Sequence, residues 1–140
     1  MPFKFEKLEV WQLALSYVNL TYDITKHLPR EEEHNLKSQM VRAATSVALN
    51  IAEGSTGQTD VEQARFLGMA IRSLIETVAC QHLVSQRNYL EDRALLRQAY
   101  RDAETVVAKL HTLRRTIAPE LKWIREEQST YGDESPLDDI

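Results

Sequence analysis

The sequence predicts an all-α protein, an antiparallel up-down-up-down four-helix bundle, and three observations carry that prediction. Apolar residues recur at alternating three- and four-residue intervals through four successive segments. Only four Gly and four Pro interrupt 140 residues, of which 43% are hydrophobic, and helix-forming Ala, Leu, Glu, Gln and Arg abound. No competing strand pattern is present, and short connections make consecutive helices antiparallel neighbours. One domain of this size, spanning residues 1–128, buries roughly two thirds of its unfolded surface.

The first helix is expected over residues 6–27. Leu8, Trp11, Leu15, Val18 and Tyr22 form a heptad stripe, and Val10, Leu13, Ala14, Tyr17, Leu20, Thr21 and Ile24 occupy the adjoining surface. At 100° per residue the two sets cover roughly 220° of the circumference. One bundle core buries less than that, so the excess implies self-association, with Val10, Tyr17 and Thr21 as interface candidates. Leu28-Pro29 ends the helix, because proline disfavours helical geometry in its predecessor.

A second helix follows over 34–53, its first turn preceded by Glu31, Glu32 and Glu33, whose charge suits a helix N-terminus. Leu36, Met40, Ala43, Val47 and Asn50 make an inner stripe of little bulk. Asn50 interrupts it with an amide that needs partners, expected on a neighbouring helix. Gly54 is read as a left-handed terminal residue. Thr59-Asp60-Val61-Glu62 is a capping box opening a third helix over 60–87, where Ala64, Leu67, Ile71, Leu74 and Val78 face inward. Gly68 within it suggests close passage of another backbone. The fourth helix, over 91–117, has the cleanest heptad: Leu96, Ala99, Ala103, Val106, Leu110, Leu113 and Ile117. A short helix over 120–128 presents Trp123 for docking on the body or on another subunit. Residues 129–140 form a flexible acidic tail.

The four acids of the last eleven residues account for the whole net charge of −4, leaving residues 1–129 balanced at 17 basic and 17 acidic side chains. A neutral body permits a local basic patch without requiring one. On the fourth helix Arg93, Arg97, Arg101, His111 and Arg115 fall within roughly 80° of arc, interrupted by Glu104, with Arg114 to one side. Such a row suits a phosphate backbone, although a charged stripe is more often a solvated face.

Chemistry is harder to assemble. Glu31-x-x-His34 occurs once and at a helix end, whereas di-iron bundles use two such motifs with two further carboxylates. Lone Cys80 forms no internal disulfide and reads as a packing residue. No Ser-His-Asp or Cys-His set, phosphate-binding glycine loop or complete metal site is present, so no enzyme, cofactor or metal is expected. The opening residues lack the apolar run of a signal peptide and no stretch approaches the roughly 20 apolar residues of a membrane span, so the expected location is the cytoplasm.

Leu8-Glu9-Val10-Trp11-Gln12, the core Gln39, Arg42, Ala43, Ala44, Ser46, Val47, Asn50, Ile51, Ala52, Glu53, Gly54, and Ser73-Leu74-Ile75-Glu76 together resemble the 23S rRNA intervening-sequence protein family of bacterial four-helix-bundle proteins. Val41 and Arg72 depart from the family pattern, which often has Arg and Gly there. The resemblance implies a bundle assembled as a homo-oligomer, a pentamer in the known cases, without enzymatic activity. It is similar too to accessory proteins of diversity-generating retroelements, which bind nucleic acid and a reverse transcriptase. Two expectations follow: a nucleic-acid-binding oligomer acting on structured RNA or an RNA–DNA intermediate through Arg93, Arg97, Arg101, His111, Arg114 and Arg115, or a scaffold recruiting a protein partner. Trp11, Gln39, Arg42, Asn50, Glu53, Gly54 and Glu76 are expected to be structural, with Glu53 and Glu76 accepting hydrogen bonds from Arg42, Gln39, Asn50 or helix-end amides.

Overall fold

The structure, a computed structural model, describes residues 3–56 and 59–120. It contains four helices, α1 (Glu9–Thr25), α2 (Leu36–Gly54), α3 (Asp60–Gln86) and α4 (Ala94–Ile117), with single 3-10 turns at Lys4–Lys7 and Arg30–Glu32. Among the described residues there is no strand. The short helix expected beyond Glu120, the acidic tail and Trp123 lie outside the described residues.

Helix boundaries follow local chemistry. The Phe3 amide donates to the Glu6 carboxylate at 2.7 Å, closing a separate turn, and Leu8 is extended, so α1 starts at Glu9 and not at Glu6. Thr59 caps α3 by accepting from the Glu62 amide at 3.1 Å. Before α4 the Asp92 carboxylate accepts from the Ala94 amide at 2.9 Å, a local turn that delays the helix by three residues.

Each helix packs on the next and α4 returns to α1, closing a four-helix bundle. Paired contacts set the directions. Ser46 and Ser73 hydroxyls meet at 3.0 Å in mid-helix, while Gly54 at the end of α2 lies against Gln63 and Phe66 near the start of α3. Gly68 near the start of α3 abuts Arg114 near the end of α4, and Ser85 near the end of α3 bonds Arg93 just before α4. Both pairs of neighbours therefore run antiparallel.

Ile24, Met40, Ile51, Leu67, Ile71, Leu74, Leu96 and Leu110 are fully buried, each burial stabilising the fold by about 1.5–3 kcal/mol. The two apolar sets of α1 partly exchange the roles expected of them. Val10, Tyr17 and Thr21, the proposed interface residues, are core: 5%, 0% and 1% exposed within the single chain. Of the heptad stripe, Leu8, Trp11 and Val18 are half-buried against the core, and Leu15 and Tyr22 face outward at 38% and 46% exposed. Hydroxyl chemistry explains the exchange. Thr21 and Thr25 donate to the Tyr17 and Tyr22 carbonyls at 2.9 Å, so burial leaves neither hydroxyl unsatisfied. Tyr17 reaches across the core to α3: its hydroxyl meets Thr77 at 2.6 Å and accepts from the Gln81 amide at 2.6 Å. Thr77 donates onward to the Leu74 carbonyl, which orients the Tyr17 hydroxyl as donor to Thr77.

Two glycines also exchange roles. Gly54 is the last residue of α2 itself; a Cβ there would sit 3.0 Å from the Phe66 Cβ, so its absence lets α3 cross closely. Gly68 makes room for a side chain and not for a backbone. A Cβ there would stand 2.7 Å from a terminal nitrogen of the Arg114 guanidinium, which is fully buried.

The end of the bundle where α3 turns into α4 is held by polar contacts. Asn88 takes φ 56°, a left-handed conformation asparagine tolerates. Arg93 donates to Asn88 Oδ1 at 2.6 Å, to the Ser85 carbonyl at 3.2 Å and to the Ser85 hydroxyl. The Tyr89 hydroxyl donates to Glu32 at 2.6 Å, fastening the same turn to the segment before α2 and lowering the Glu32 pKa.

Candidate functional site

The cationic row of α4 divides by burial. Arg114 and His111 are buried, so neither reaches a phosphate on the surface, and their candidacy for nucleic-acid contact is corrected. Both lie on the inner flank of α4, where Gly68 leaves space for the larger of the two. Burial first, and the nearby Arg114 and Arg115 next, push the His111 imidazole below its ordinary pKa. Arg93 is half-buried and committed to the α3–α4 turn. Arg97, Arg101 and Arg115 remain exposed. Arg101 donates to Gln98 at 3.4 Å and Arg115 to Thr112 at 3.2 Å; among the described residues none of the three has a carboxylate partner. Arg97 and Arg115 share one angular position, Arg101 lies about 40° away, and the three span roughly 27 Å of helix. Lys109, roughly 80° or more round the helix from the row, pairs with Glu9 of α1 at 2.7 Å.

A second surface gathers on α2. Val41, Arg42, Thr45, Ser46, Leu49, Asn50 and Glu53 line a shallow groove of about 380 Å³, with Leu49 55% exposed. The Asn50 amide donates to the Ser46 carbonyl and hydroxyl at 2.9 Å, one turn back on its own helix and not across to a neighbour as expected. The link to α3 is indirect, through Ser73 donating to that same Ser46 hydroxyl. Gln39 is exposed and donates to Asn35 at 3.0 Å. Arg42, Glu53 and Glu76 are exposed, and among the described residues no side chain donates a hydrogen bond to either carboxylate, so the expected support from Arg42, Gln39 or Asn50 is not formed. Trp11 is half-buried, edge-on to Phe5 with ring centroids 4.6 Å apart.

Cys80 is buried and burial pushes its thiol pKa up, the opposite of what a reactive thiolate needs. Among the described residues no three His, Cys, Asp or Glu side chains stand together in a metal-binding arrangement. No helix of the described residues is long and apolar enough to cross a membrane.

Sequence reasoning missed the buried Arg114 and the Tyr17–Thr77–Gln81 network. The one signal in the sequence for Arg114 was Gly68, a helix-interior glycine without a turn to explain it.

No curated protein matches the chain. Among solved structures, the chain resembles a protein of unknown function from the S23 ribosomal protein family of Bacteroides thetaiotaomicron, with a TM-score of 0.69 at 20% identity over 76% of this chain and 98% of that one. At that identity the likeness speaks to the bundle alone. The sequence profile of the 23S rRNA-intervening sequence protein matches residues 6–112, which covers Trp11, the α2 groove and most of α4. With about three quarters of its length matched, the chain belongs to the 23S rRNA-intervening sequence protein family.

Proposed function

We propose that this protein is a non-enzymatic, self-associating bundle of the cytoplasm that binds structured RNA or an RNA–DNA intermediate through the outward face of α4. The observation that carries this reading is the row of Arg97, Arg101 and Arg115, exposed and without carboxylate partners among the described residues. A guanidinium free of a competing carboxylate exchanges condensed counterions for a phosphate. Three per chain make a weak site, and copies in an assembly multiply it.

The test is retention of a labelled rRNA fragment as salt is raised. Binding weakens steeply with salt, and Arg97→Glu/Arg101→Glu/Arg115→Glu abolishes it. Each single reversal lowers the slope of log affinity against log salt by about 0.7–0.9, the share of one neutralised phosphate. Unchanged retention by the triple variant overturns the reading.

A second reading, a scaffold that recruits a protein partner such as a reverse transcriptase, is favoured by Val61, Ile75 and Leu83, which α3 exposes at 56%, 46% and 54%. Capture of that partner then survives nuclease and is lost in Ile75→Glu/Leu83→Glu.

A further inference from the structure

Charge is segregated along this chain. Residues 129–140 hold Asp133, Glu134, Asp138 and Asp139 with no Lys or Arg, while α4 turns Arg97, Arg101 and Arg115 to solvent. None of the three has a carboxylate partner among the described residues, which end at Glu120. Glu104 is the one acid of α4 within their arc, so the face keeps two positive charges in excess.

The distances match as well as the signs. α4 ends at Ile117, just beyond Arg115, and Pro119 stops it from continuing, so the chain leaves from the Arg115 end of the row. The stretch from Ile117 to Asp133 can reach about 50 Å, far more than a turn back onto α4 needs. Arg115 and Arg101 stand roughly 21 Å apart along the helix, with Arg97 about one turn further on. The acids come in two pairs, Asp133-Glu134 and Asp138-Asp139, whose outer members span roughly 20 Å of extended chain.

We propose that the acidic run folds back along α4 of its own chain, antiparallel to it, and occupies the arginine row, so that a nucleic acid must displace it to bind. Asp133 and Glu134 meet Arg115, and Asp138 and Asp139 meet Arg101 and Arg97. The inference rests on the nucleic-acid reading above and adds the regulation of that site. Carboxylate and phosphate compete for the same guanidinium groups. The covalent link selects the occupant: it presents the run at an effective concentration on the order of millimolar, an advantage no unlinked acidic segment has. The contact also yields. Exposed ion pairs are each worth about 0–1 kcal/mol, whereas a phosphate backbone that takes the row releases counterions as it does so.

The experiment compares the full chain with Asp133→Asn/Glu134→Gln/Asp138→Asn/Asp139→Asn, each with and without Arg97→Gln/Arg101→Gln/Arg115→Gln. Backbone amide chemical shifts read the contact. At low salt, neutralising the run moves the shifts of residues around Arg97, Arg101 and Arg115; the difference holds on dilution, closes in high salt and is absent without those arginines. Retention of the labelled rRNA fragment reads the regulation. At low salt the neutralised protein binds about tenfold more tightly than the wild type, and the gain shrinks as salt rises. No shift along α4, or the same shift without the arginines, overturns the contact. A shift that fades on dilution overturns it too, since the run then comes from another copy. Shifts as expected with equal retention by both proteins overturn the regulation and leave the nucleic-acid reading standing. Retention that ignores the arginines removes that reading instead, and the shifts alone then judge the contact.

Discussion

Two sets of cationic side chains on α4 differ in everything but their spacing. Arg114 and His111 are sealed inside the bundle and Arg93 is spent on the turn before the helix, whereas Arg97, Arg101 and Arg115 stand in solvent. The inner set costs desolvation, and its Arg114 sits in the space that Gly68 leaves open. The outer set contributes little to stability and is free to meet a ligand. One helix thus carries buried cations that shape the fold beside cations that face solvent, and only burial tells them apart.

The contrast breaks first at Gly68. Gly68→Val drives a branched side chain into the buried guanidinium and lowers unfolding free energy by about 3 kcal/mol or more, read by chemical denaturation. In an Arg114→Ala background the collision is gone, and Gly68→Ala then stabilises by about 1 kcal/mol through helix propensity, whereas in the wild type it destabilises. Equal effects in both backgrounds would mean that Gly68 and Arg114 are not coupled.

Tyr17→Phe removes the hydroxyl that joins α1 to α3 and leaves the Gln81 amide without its acceptor, at a cost of about 1–3 kcal/mol. The same hydroxyl makes the fold sensitive to alkali. Burial pushes the Tyr17 pKa up to about 12, so its share of stability is intact below pH 10 and drains away as pH climbs through that range. Tyr17→Phe flattens that alkaline loss.

A smaller effect is expected at His111. Its folded pKa lies below the ordinary 6.5, so the unfolded chain binds the proton more readily and stability is full above that value. Stability erodes as pH falls through 6.5, and the denaturation midpoint of the wild type drops further between about pH 7.5 and pH 5.5 than that of His111→Gln. Last comes the outer set: Arg97→Glu, Arg101→Glu and Arg115→Glu each shift stability by no more than about 0.5 kcal/mol. A larger loss from any of them would place that arginine with the inner set.

The helices were legible because their apolar residues keep a 3.6-residue rhythm, and their ends moved furthest where Glu6 or Asp92 closed a turn that composition does not advertise. Which side of α1 faces inward was not legible. Both sides repeat at the same period, and the choice went to the side with more hydroxyls because Thr21 and Thr25 satisfy themselves on their own helix while Tyr17 finds Thr77 and Gln81 sixty residues and more away. The family motif was legible as a string of residues, but its geometry was not. Asn50 bonds within its own helix through Ser46, a choice that depends on rotamers and not on spacing. The arginine row was legible as an arc; that half of it is occupied by the fold emerges only when α3 is laid beside it.

The clasp of Arg93, Asn88, Tyr89 and Glu32 fastens the α3–α4 turn to the segment before α2. Amide hydrogens near Ser85 and Leu96 therefore exchange with deuterium more slowly in the wild type than in Tyr89→Phe, which cuts the link to Glu32.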